Sequence, residues 1–380
     1  MSRAAGSAAM TPTDLGWDAG WDQAFEPFAA GGRRPARVVA VHKETAIVRG
    51  DVGGDRPATV SGRFRFDALA ASDFPAVGDW VALEPTDAGA GADDPAVIAA
   101  VLPRRAAFVR SAADASRRTA GNLADEQVIA ANVDIAFLVA GLDGDFNLRR
   151  LERYLAVAWS SGVTPVIVLN KADIARELEE RLVAVAAIAP SVPIVVLSAL
   201  TGDHVTDLLP YLGPGQTSVV LGSSGVGKST LVNTLLGEQR QATSDVREDD
   251  SRGRHTTTHR ELFGLPGGAL LIDTPGIRSL EVAGADEGVD TAFEDIAELA
   301  LACRFSDCRH LEEPGCAVRR AIADATLGED RLVSYRKLER ELAHAERRED
   351  PRARAAEAKR WKQVHKAVDR HMDQKYGRER

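Results

Sequence analysis

The sequence predicts a multidomain protein with a small N-terminal β-barrel, a central α/β domain with a mostly parallel sheet, and a C-terminal helical domain that carries a cysteine cluster. Three observations lead to this prediction. Short apolar runs at close spacing fill residues 36–112, apolar strands alternate with helical patterns over residues 113–285, and all three cysteines lie within residues 303–316. Closely spaced short strands are typical of small barrels, for which the OB type is one option, whereas strand–helix alternation is typical of parallel sheets.

Length and charge set the first bounds on function. A chain of 380 residues is long enough for two or three domains. The net charge is −9, but residues 331–380 hold sixteen Lys/Arg and nine Asp/Glu, a local charge of +7 that leaves −16 for the remainder (−9 minus 7). A basic tail on an acidic protein indicates a polyanionic partner such as nucleic acid, or else a solvated charged helix.

The sequence predicts neither a membrane-spanning helix nor an N-terminal secretory signal. No run reaches the ~18 apolar residues of a membrane span. Residues 1–30 are rich in Ala and Gly and lack the basic-then-apolar order of a signal peptide. We therefore expect a cytoplasmic protein without membrane contact, and we expect residues 1–35 to form a poorly ordered lead.

The barrel prediction depends on six short strand candidates separated by turn signals such as Gly53-Gly54. These candidates are residues 37–42, 46–49, 58–60, 80–83, 96–101 and 107–109. Small barrels of the OB type often bind single-stranded or structured nucleic acid, so RNA binding is a weak expectation for this part of the chain.

The α/β prediction depends on a regular succession of apolar strands and amphipathic helices. The strand candidates are residues 134–140, 163–169, 194–197, 217–221 and 270–272, and the helix candidates are residues 148–160, 177–188 and 229–236. Such a succession places successive strands parallel in one sheet, with helices covering its faces.

A phosphate-binding loop joins one of these strands to the next helix. Its residues fit the pattern Gly-x4-Gly-Lys-Ser/Thr, and the candidate nucleotide-binding run is Gly222, Ser223, Ser224, Gly225, Val226, Gly227, Lys228, Ser229 and Thr230. The glycines let backbone N–H groups close on the phosphates, and the helix N-terminus adds a favourable dipole. Lys228 is expected to reach the β- and γ-phosphates, and the Ser229 hydroxyl is expected to bind Mg²⁺.

A second candidate element, Asn170-Lys171-Ala172-Asp173, follows another apolar strand. The Asp173 carboxylate can accept two hydrogen bonds from the ring N–H and the exocyclic amine of guanine, and adenine lacks that pair of donors. A site built on such bonds discriminates strongly, because the wrong base leaves the carboxylate unpaired. The loop that begins with Ser198 and Ala199, after the next strand, resembles a backbone loop that supports the base.

Two further stretches have the character of magnesium and γ-phosphate elements. Asp273 follows a strand at the position of an acid that holds Mg²⁺, and Gly276 places an N–H group near the γ-phosphate. A switch loop needs a threonine hydroxyl for Mg²⁺, and Thr257 or Thr258 is the candidate. The preceding residues 244–254 are charged and contain glycine, which suits a mobile loop.

The cysteine cluster predicts a metal site. Three cysteines cannot all pair as disulfides, and clustered cysteines in a cytosolic chain favour metal binding. The candidate ligands are Cys303, Cys308, His310 and Cys316. Three thiolates and one imidazole make a closed tetrahedral Zn²⁺ site with no position for a reacting water, so we interpret it as structural. Metal binding would then supply much of the folding free energy of the surrounding small region.

The base-reading element precedes the phosphate loop, the reverse of the order in ordinary GTPases. With this order and the cysteine spacing, residues 36–340 resemble the circularly permuted RsgA (YjeQ-like) GTPase family. The resemblance implies an OB-fold β-barrel, a circularly permuted α/β P-loop GTPase domain and a zinc-binding helical domain. The corresponding boundaries are 1–35 for the lead, 36–112 for the barrel, 113–285 for the G domain, 286–340 for the zinc domain and 341–380 for a basic helical tail.

The resemblance also implies a function. It implies slow GTP hydrolysis stimulated by the small (30S) ribosomal subunit, late subunit maturation, and control of rRNA binding and release by the GTP state. Ile277 stands where Ras-like proteins have a glutamine that orients the attacking water, so intrinsic hydrolysis is expected to be slow. Lys228 supplies charge stabilisation, and His255 is the candidate that orients the water once a partner orders the loops.

Two alternatives stay open at this point. One is an ATP-dependent P-loop enzyme, which Asp173 argues against. The other is an RNA-binding protein that uses GTP only as a structural ligand. We expect a monomer. Because the segment after Gly276 leads straight into the zinc domain, we also expect the GTP state to set the angle of that domain.

Overall fold

The structure is a computed structural model that describes residues 10–42, 45–50, 54–85, 94–111, 126–237, 260–273 and 286–349. Its strands are β1 Arg34–His42, β2 Thr45–Gly50, β3 Asp55–Val60, β4 Trp80–Leu83, β5 Ala96–Val101, β6 Ala107–Ser111, β7 Glu126–Ala131, β8 Ile135–Gly141, β9 Thr164–Asn170, β10 Ile194–Val196, β11 Thr217–Gly222, β12 Arg260–Gly264 and β13 Leu270–Asp273. Its α-helices are α1 Ala19–Phe25, α2 Gly62–Asp67, α3 Leu148–Ser160, α4 Leu178–Ile188, α5 Lys228–Leu236, α6 Asp286–Ala292, α7 Glu294–Leu301, α8 Ala317–Ala323 and α9 Glu329–Glu349.

The first five strands close into a barrel, as the sequence predicts. They pair in the order β1-β2-β3-β5-β4, and β4 pairs back on β1. The β3–β5 pair is parallel and the other pairs are antiparallel. Val38, Val48, Val81 and Ile98 point into the centre and are buried. Five short strands with this closure form an OB-type barrel, and that prediction is confirmed.

The central sheet is mostly parallel, and the α/β prediction is also confirmed. Its order is β10-β9-β8-β11-β13-β12, and only β12 runs antiparallel to its neighbour. These strands are nearly continuous apolar runs because helices cover a parallel sheet on both faces. β12 also pairs with β1, matching Ala40 with Glu261 and Val41 with Arg260. The barrel and the central sheet are therefore one hydrogen-bonded sheet of eleven strands.

Two expectations about the N-terminal part need correction. Residues 10–35 are not a poorly ordered lead, because α1 packs Trp21 into the core and Leu15 is fully buried. The Trp17 ring meets the Trp80 ring edge-on at 4.7 Å, so aromatic packing fixes this segment against the barrel. The sixth strand candidate, residues 107–109, does form a strand, but β6 pairs with β7 in a separate hairpin outside the barrel.

A buried arginine joins the N-terminal segment, the barrel and the central sheet. Arg37 on β1 is 2% exposed. Its guanidinium donates to the carbonyl oxygens of Leu15, Gly78 and Asn132 and, at 2.8 Å, to the hydroxyl of Thr217 on β11. A buried charge is tolerated only when its donors are satisfied, so this contact fixes the position of the barrel relative to β11.

The C-terminal helices pack directly on α3 of the central domain. Phe293 and Ile296 are fully buried in the core that α3 also lines. α6 lies so close to α3 that a Cβ atom on Gly288 would be 2.4 Å from the carbonyl oxygen of Ala156. The predicted basic tail begins inside α9, and residues 350–380 lie outside the described residues. Among the described helices, none has the length and apolarity of a membrane span.

Candidate functional site

The predicted nucleotide-site residues of the described part of the chain lie at one edge of the central sheet. Asn170 ends β9, Gly222 ends β11 and Asp273 ends β13. These strands run parallel, with β8 between β9 and β11, and Gly141 at the end of β8 pairs with Asn170. The carboxyl edge of a parallel sheet is where α/β proteins bind ligands. β11, the phosphate-loop strand, lies between β8 and β13 although β8 precedes it by more than seventy residues in sequence.

The phosphate loop has a backbone that requires glycine. Gly225 and Gly227 have φ angles of +80° and +93°, in the left-handed region. A Cβ atom on Gly227 would lie 2.3 Å from the amide nitrogen of Asn170, and one on Gly222 would lie 2.5 Å from the carbonyl oxygen of Val139. The loop is therefore closed tightly over two neighbouring strands, and α5 begins directly after it at Lys228.

The residues expected to contact phosphate and magnesium lie where the loop meets α5. The ammonium group of Lys228 donates to the carbonyl oxygens of Gly222 and Ser223, at 2.8 and 2.5 Å, so it lies across the mouth of the loop. Ser224 is exposed, whereas Ser229 and Thr230 in the first turn of α5 are partly buried. A helix N-terminus with these groups favours an anion.

Asn170 ties three segments of the site together. Its side-chain amide donates to the carbonyl oxygen of Val226 in the phosphate loop at 2.7 Å, and its side-chain oxygen accepts from the Ala199 N–H group at 2.8 Å. Asn170 is only 2% exposed, so both bonds are shielded from water. The two motifs and the loop after β10 are thus held in one arrangement, although they are far apart in sequence.

Asp173 is positioned by the loop after β10. The buried Ser198 hydroxyl donates to one Asp173 carboxylate oxygen at 2.6 Å, and the Asp173 residue itself is exposed at the sheet edge. Lys171 adopts a left-handed backbone with a φ angle of +69°, which turns the chain between Asn170 and Ala172. A fixed, accessible carboxylate of this kind can accept two hydrogen bonds from a planar base edge.

The site also contains three residues that the sequence did not predict, namely Asp143, Asp145 and Arg150. Asp143 accepts from the Lys171 ammonium at 2.5 Å; burial raises the pKa of its carboxyl group, but the Lys171 ammonium and backbone N–H groups together lower this pKa by more. Asp145 accepts from Arg150 and from the Ser223 hydroxyl, both at 2.6 Å, and the Arg150 bond is the main reason why its pKa is lowered. A signal was available, because both acids follow the apolar strand β8 at the ligand-binding edge.

Several predicted residues cannot be placed on this edge. His255, Thr257, Thr258, Gly276 and Ile277 lie outside the described residues. Asp273, at the end of β13, is partly buried and pairs in register with Glu261 of β12. The catalytic assignment of His255 and the magnesium assignments of Ser229, Thr257 and Asp273 therefore stay predictions.

The four predicted metal ligands come together at the start of α8. The ligand atoms of Cys303, Cys308, His310 and Cys316 all lie within 4.8 Å of one another. The Cys303 and Cys316 sulfurs are 3.9 Å apart, and the His310 Nδ1 atom is 3.7 and 3.4 Å from them. A tetrahedral ion with bonds of about 2.0–2.3 Å requires ligand separations of roughly 3.4–3.8 Å, so these distances fit a metal ion.

The surroundings of the cluster favour thiolate at Cys303 and neutral imidazole at His310, whereas burial raises the pKa of the Cys308 thiol to about 11. The Ala317 N–H group donates to the Cys303 sulfur and the Arg319 N–H group to the Cys316 sulfur, at 3.3 and 3.4 Å. Burial raises the pKa of Cys303, but its backbone N–H donors and its contacts with the Cys308 and Cys316 thiols together lower the pKa by more. Burial lowers the pKa of His310, which keeps the imidazole neutral and able to bind a cation. The donor set therefore fits a structural metal site.

Comparisons with known proteins agree with this geometry. A sequence profile described as RsgA GTPase matches residues 101–283. The chain is 50% identical over 361 residues to a protein of Opitutus terrae named small ribosomal subunit biogenesis GTPase RsgA. This alignment covers 94% of this chain and 96% of that protein. It is 43% identical over 358 residues to the protein of the same name from Streptomyces coelicolor, which covers 92% of each chain.

Two solved structures resemble the fold. YjeQ from Thermotoga maritima aligns with a TM-score of 0.59 and 28% identity, covering 82% of this chain and 99% of that one. YloQ, described as a circularly permuted GTPase, aligns with a TM-score of 0.56 and 24% identity over 83% of this chain and 97% of its own. The likeness to YloQ shows the fold. A permuted fold agrees with the sequence order seen here, in which β9 and Asn170 precede β11 and the phosphate loop.

Proposed function

This chain belongs to the RsgA GTPase family, and from this membership we propose that it is a GTP-hydrolysing factor for late maturation of the small (30S) ribosomal subunit. One observation carries the proposal: Asn170 joins the phosphate loop, through Val226, to the loop after β10, through Ala199. This bond pattern brings the two elements together despite their permuted order, and it supports one nucleotide site that uses both of them. GTP and GDP are the ligands that such a site fits.

We propose that each element of the site has a separate task in GTP binding. Asp173, oriented by Ser198, reads the guanine edge, and Lys171 and Ala199 support the base. The backbone N–H groups of the phosphate loop surround the phosphates, and Lys228 offsets their charge. Ser229, Asp273 and a switch threonine such as Thr257 hold Mg²⁺, which would neutralise the charge that develops during phosphoryl transfer.

Hydrolysis is proposed to be slow until a partner orders the switch loop. Ile277 has no group that can orient the attacking water, whereas His255 beside the switch threonines has one. His255→Ala is expected to leave GTP affinity unchanged and to lose stimulated turnover. Unchanged stimulated turnover would rule out this role for His255. A GTP-binding RNA-binding protein without significant turnover is the alternative, which the absence of a glutamine at position 277 favours.

The partner is proposed to be the small ribosomal subunit and its rRNA, with the GTP state controlling binding and release. The relatives named above are called small ribosomal subunit biogenesis GTPases. Residues 331–380 carry the local charge of +7 described above, which suits a polyanionic RNA surface. We also propose one structural Zn²⁺ at the Cys303 cluster, a monomeric state and a cytoplasmic location.

Nucleotide-dependent co-sedimentation tests the partner assignment. Purified chain is centrifuged with small or large ribosomal subunits in the presence of GDP or a non-hydrolysable GTP analogue. We expect co-sedimentation with the small subunit, stronger with the analogue than with GDP, and weakening as salt rises because basic residues contact phosphates. Equal pelleting with both subunits, or pelleting that ignores the nucleotide, would contradict the proposal.

A further inference from the structure

α3 is in contact with both the phosphate loop and the C-terminal helices. Its N-cap residue Asn147 accepts from the Arg150 N–H group, and the helix then runs for thirteen residues to Ser160. An α-helix of this length spans about 20 Å and is stiff along its axis. The two sets of contacts lie on different sides of the helix.

One side of α3 holds the C-terminal domain. Residues 149, 152, 153, 156 and 160 repeat at helical spacing and all meet the segment from residue 286 onward. Arg149 forms an ion pair with Asp330, and Arg153 forms one with Glu341. Gly288 packs closely against the backbone of Ala156 and Ser160. This stripe is the docking face of the C-terminal domain.

A buried charge network lies at the centre of this docking face. Glu152 is 1% exposed and accepts from Arg331 at 2.8 Å and from the Ser334 hydroxyl at 2.5 Å. Arg331 also donates to Asp295 at 2.9 Å and lies 4.4 Å above the Phe293 ring. Removing one partner from such a network leaves a buried charge uncompensated, so the C-terminal domain and α3 are expected to move together.

The other side of α3 holds the phosphate loop. Arg150 donates through one nitrogen to Asp145 at 2.6 Å and to the Ser223 hydroxyl at 2.7 Å. Ser223 in turn donates to Asp145 at 2.6 Å, which closes a three-membered ring of hydrogen bonds. A small, partly open pocket, lined in part by Asn147 and Tyr154, lies against this ring. The first turn of α3 is thus hydrogen-bonded to the second residue of the phosphate loop.

We propose that Arg150 is a positioning residue that couples the phosphate loop to the C-terminal domain through α3. The coupling begins at Ser223, whose carbonyl oxygen accepts from Lys228 at 2.5 Å. Lys228 is expected to reach the β- and γ-phosphates, so bound nucleotide draws it away from this carbonyl oxygen, and the γ-phosphate, which GTP has and GDP lacks, makes the rearrangement differ between the two nucleotide states. The Ser223 hydroxyl transmits that rearrangement to Arg150 and the start of α3, and Glu152 passes it to Arg331. This inference rests on the nucleotide binding proposed above.

Hydrogen exchange on the full chain measures the coupling at its far end. Wild type, Arg150→Ala and Arg63→Ala are compared, each saturated with Mg²⁺ and either GDP or a non-hydrolysable GTP analogue. Arg63 is the control because it is a highly exposed arginine that pairs with Asp67 within α2, between β3 and β4 of the barrel. We expect α6 and α7 to exchange differently in the two nucleotide states of wild type and Arg63→Ala, and this difference to disappear in Arg150→Ala.

A double-mutant cycle measures the same coupling at the nucleotide. Ser334→Ala removes one donor from Glu152 without removing a charge. Because coupling between sites is reciprocal, we expect it to change the ratio of analogue to GDP affinity by about fivefold or more. In the Arg150→Ala background the same substitution is expected to leave the ratio unchanged.

Two results would overturn the inference. One is a nucleotide-dependent exchange difference that persists in Arg150→Ala, and the other is a wild type that binds both nucleotides but shows no difference in α6 and α7. Failure of wild type to bind guanine nucleotides at all is a separate result, which would contradict the proposed function. Measuring both affinities before the exchange experiment distinguishes the two failures.

Discussion

Asn170 shows how far individual residues of the site can be predicted from the sequence. Its motif was recognisable from four adjacent residues, but its two hydrogen bonds, to Val226 and Ala199, link segments that only the fold brings together. Asp145 and Arg150, by contrast, were not predicted from the sequence. They belong to no short motif, and their contact with Ser223 depends on the packing of α3 against β8 and β9.

At the same scale, Asp173→Asn tests the base-reading assignment. The substitution removes a charged acceptor, and a hydrogen bond to a charged group contributes about 1.5–3 kcal/mol, so GDP affinity is expected to fall roughly 10- to 100-fold. The Asp173→Asn variant should instead bind xanthosine diphosphate. Xanthine has a carbonyl oxygen in place of the exocyclic amine of guanine, and this oxygen can accept a hydrogen bond from the introduced amide. Isothermal titration calorimetry measures both. The exposed Asp207→Asn is the control, and unchanged GDP affinity in Asp173→Asn would contradict the assignment.

The Asp145–Arg150 bond has its own pH signature. Arg150 and Ser223 hold the pKa of Asp145 below its ordinary value. The folded pKa lies below the unfolded one of about 3.9, so the stabilising contribution is present above that pH and is lost as pH falls through the folded pKa. In Arg150→Ala the pKa of Asp145, followed by NMR titration, is expected to rise. Arg153→Ala should not change it, and equal titration in all three proteins would exclude the bond.

At the scale of elements, sequence periodicity located the regular structure well and its pairing partners poorly. α3 occupies the predicted residues 148–160, because the apolar spacing defines its extent and the Asn147 cap fixes its start. The sequence did not reveal that β6 pairs with β7, because a strand's alternation does not identify its neighbour. The segment before residue 35 was misjudged because its tryptophans find their partner, Trp80, only in the folded barrel.

Docking of the C-terminal helices on α3 is expected to depend on Arg331. Arg331→Ala leaves the buried Glu152 without one of its charged partners, and breaking a buried pair costs about 3–5 kcal/mol. Arg153→Ala removes a half-exposed pair in the same interface and is expected to cost less than about 1 kcal/mol. Guanidinium denaturation measures both. Equal destabilisation by the two substitutions would contradict the role of the buried network.

The cysteine cluster is expected to stabilise α8 through its metal. Cys316 both caps α8 and supplies a candidate ligand, so Cys316→Ser should abolish zinc binding and increase hydrogen exchange in α7 and α8. Ser306→Ala, within the same loop, is the control. Zinc content is measured by atomic emission. Full zinc content in Cys316→Ser would exclude Cys316 as a ligand.

At the scale of the whole molecule, the permutation places both flanking domains on the nucleotide domain. The barrel extends the central sheet through the β1–β12 pair. Arg37 on β1 also donates a hydrogen bond to Thr217 on β11, which connects the barrel to that strand. The C-terminal helices follow the segment after Asp273 in sequence and also dock on α3. The sequence alone led us to expect a single hinge after Gly276. It could not reveal the α3 contact, because Glu152 and Arg331 are 179 residues apart.

GTP turnover with and without small ribosomal subunits tests the central claim most directly. The claim is that this chain is a GTPase whose permuted site becomes active on its ribosomal partner. We expect slow turnover by the chain alone and an increase of about tenfold or more with small subunits. Large subunits should not stimulate turnover, and Lys228→Ala should remain inactive with either subunit. Turnover that is equal with and without small subunits, or absent in both conditions, would contradict the account.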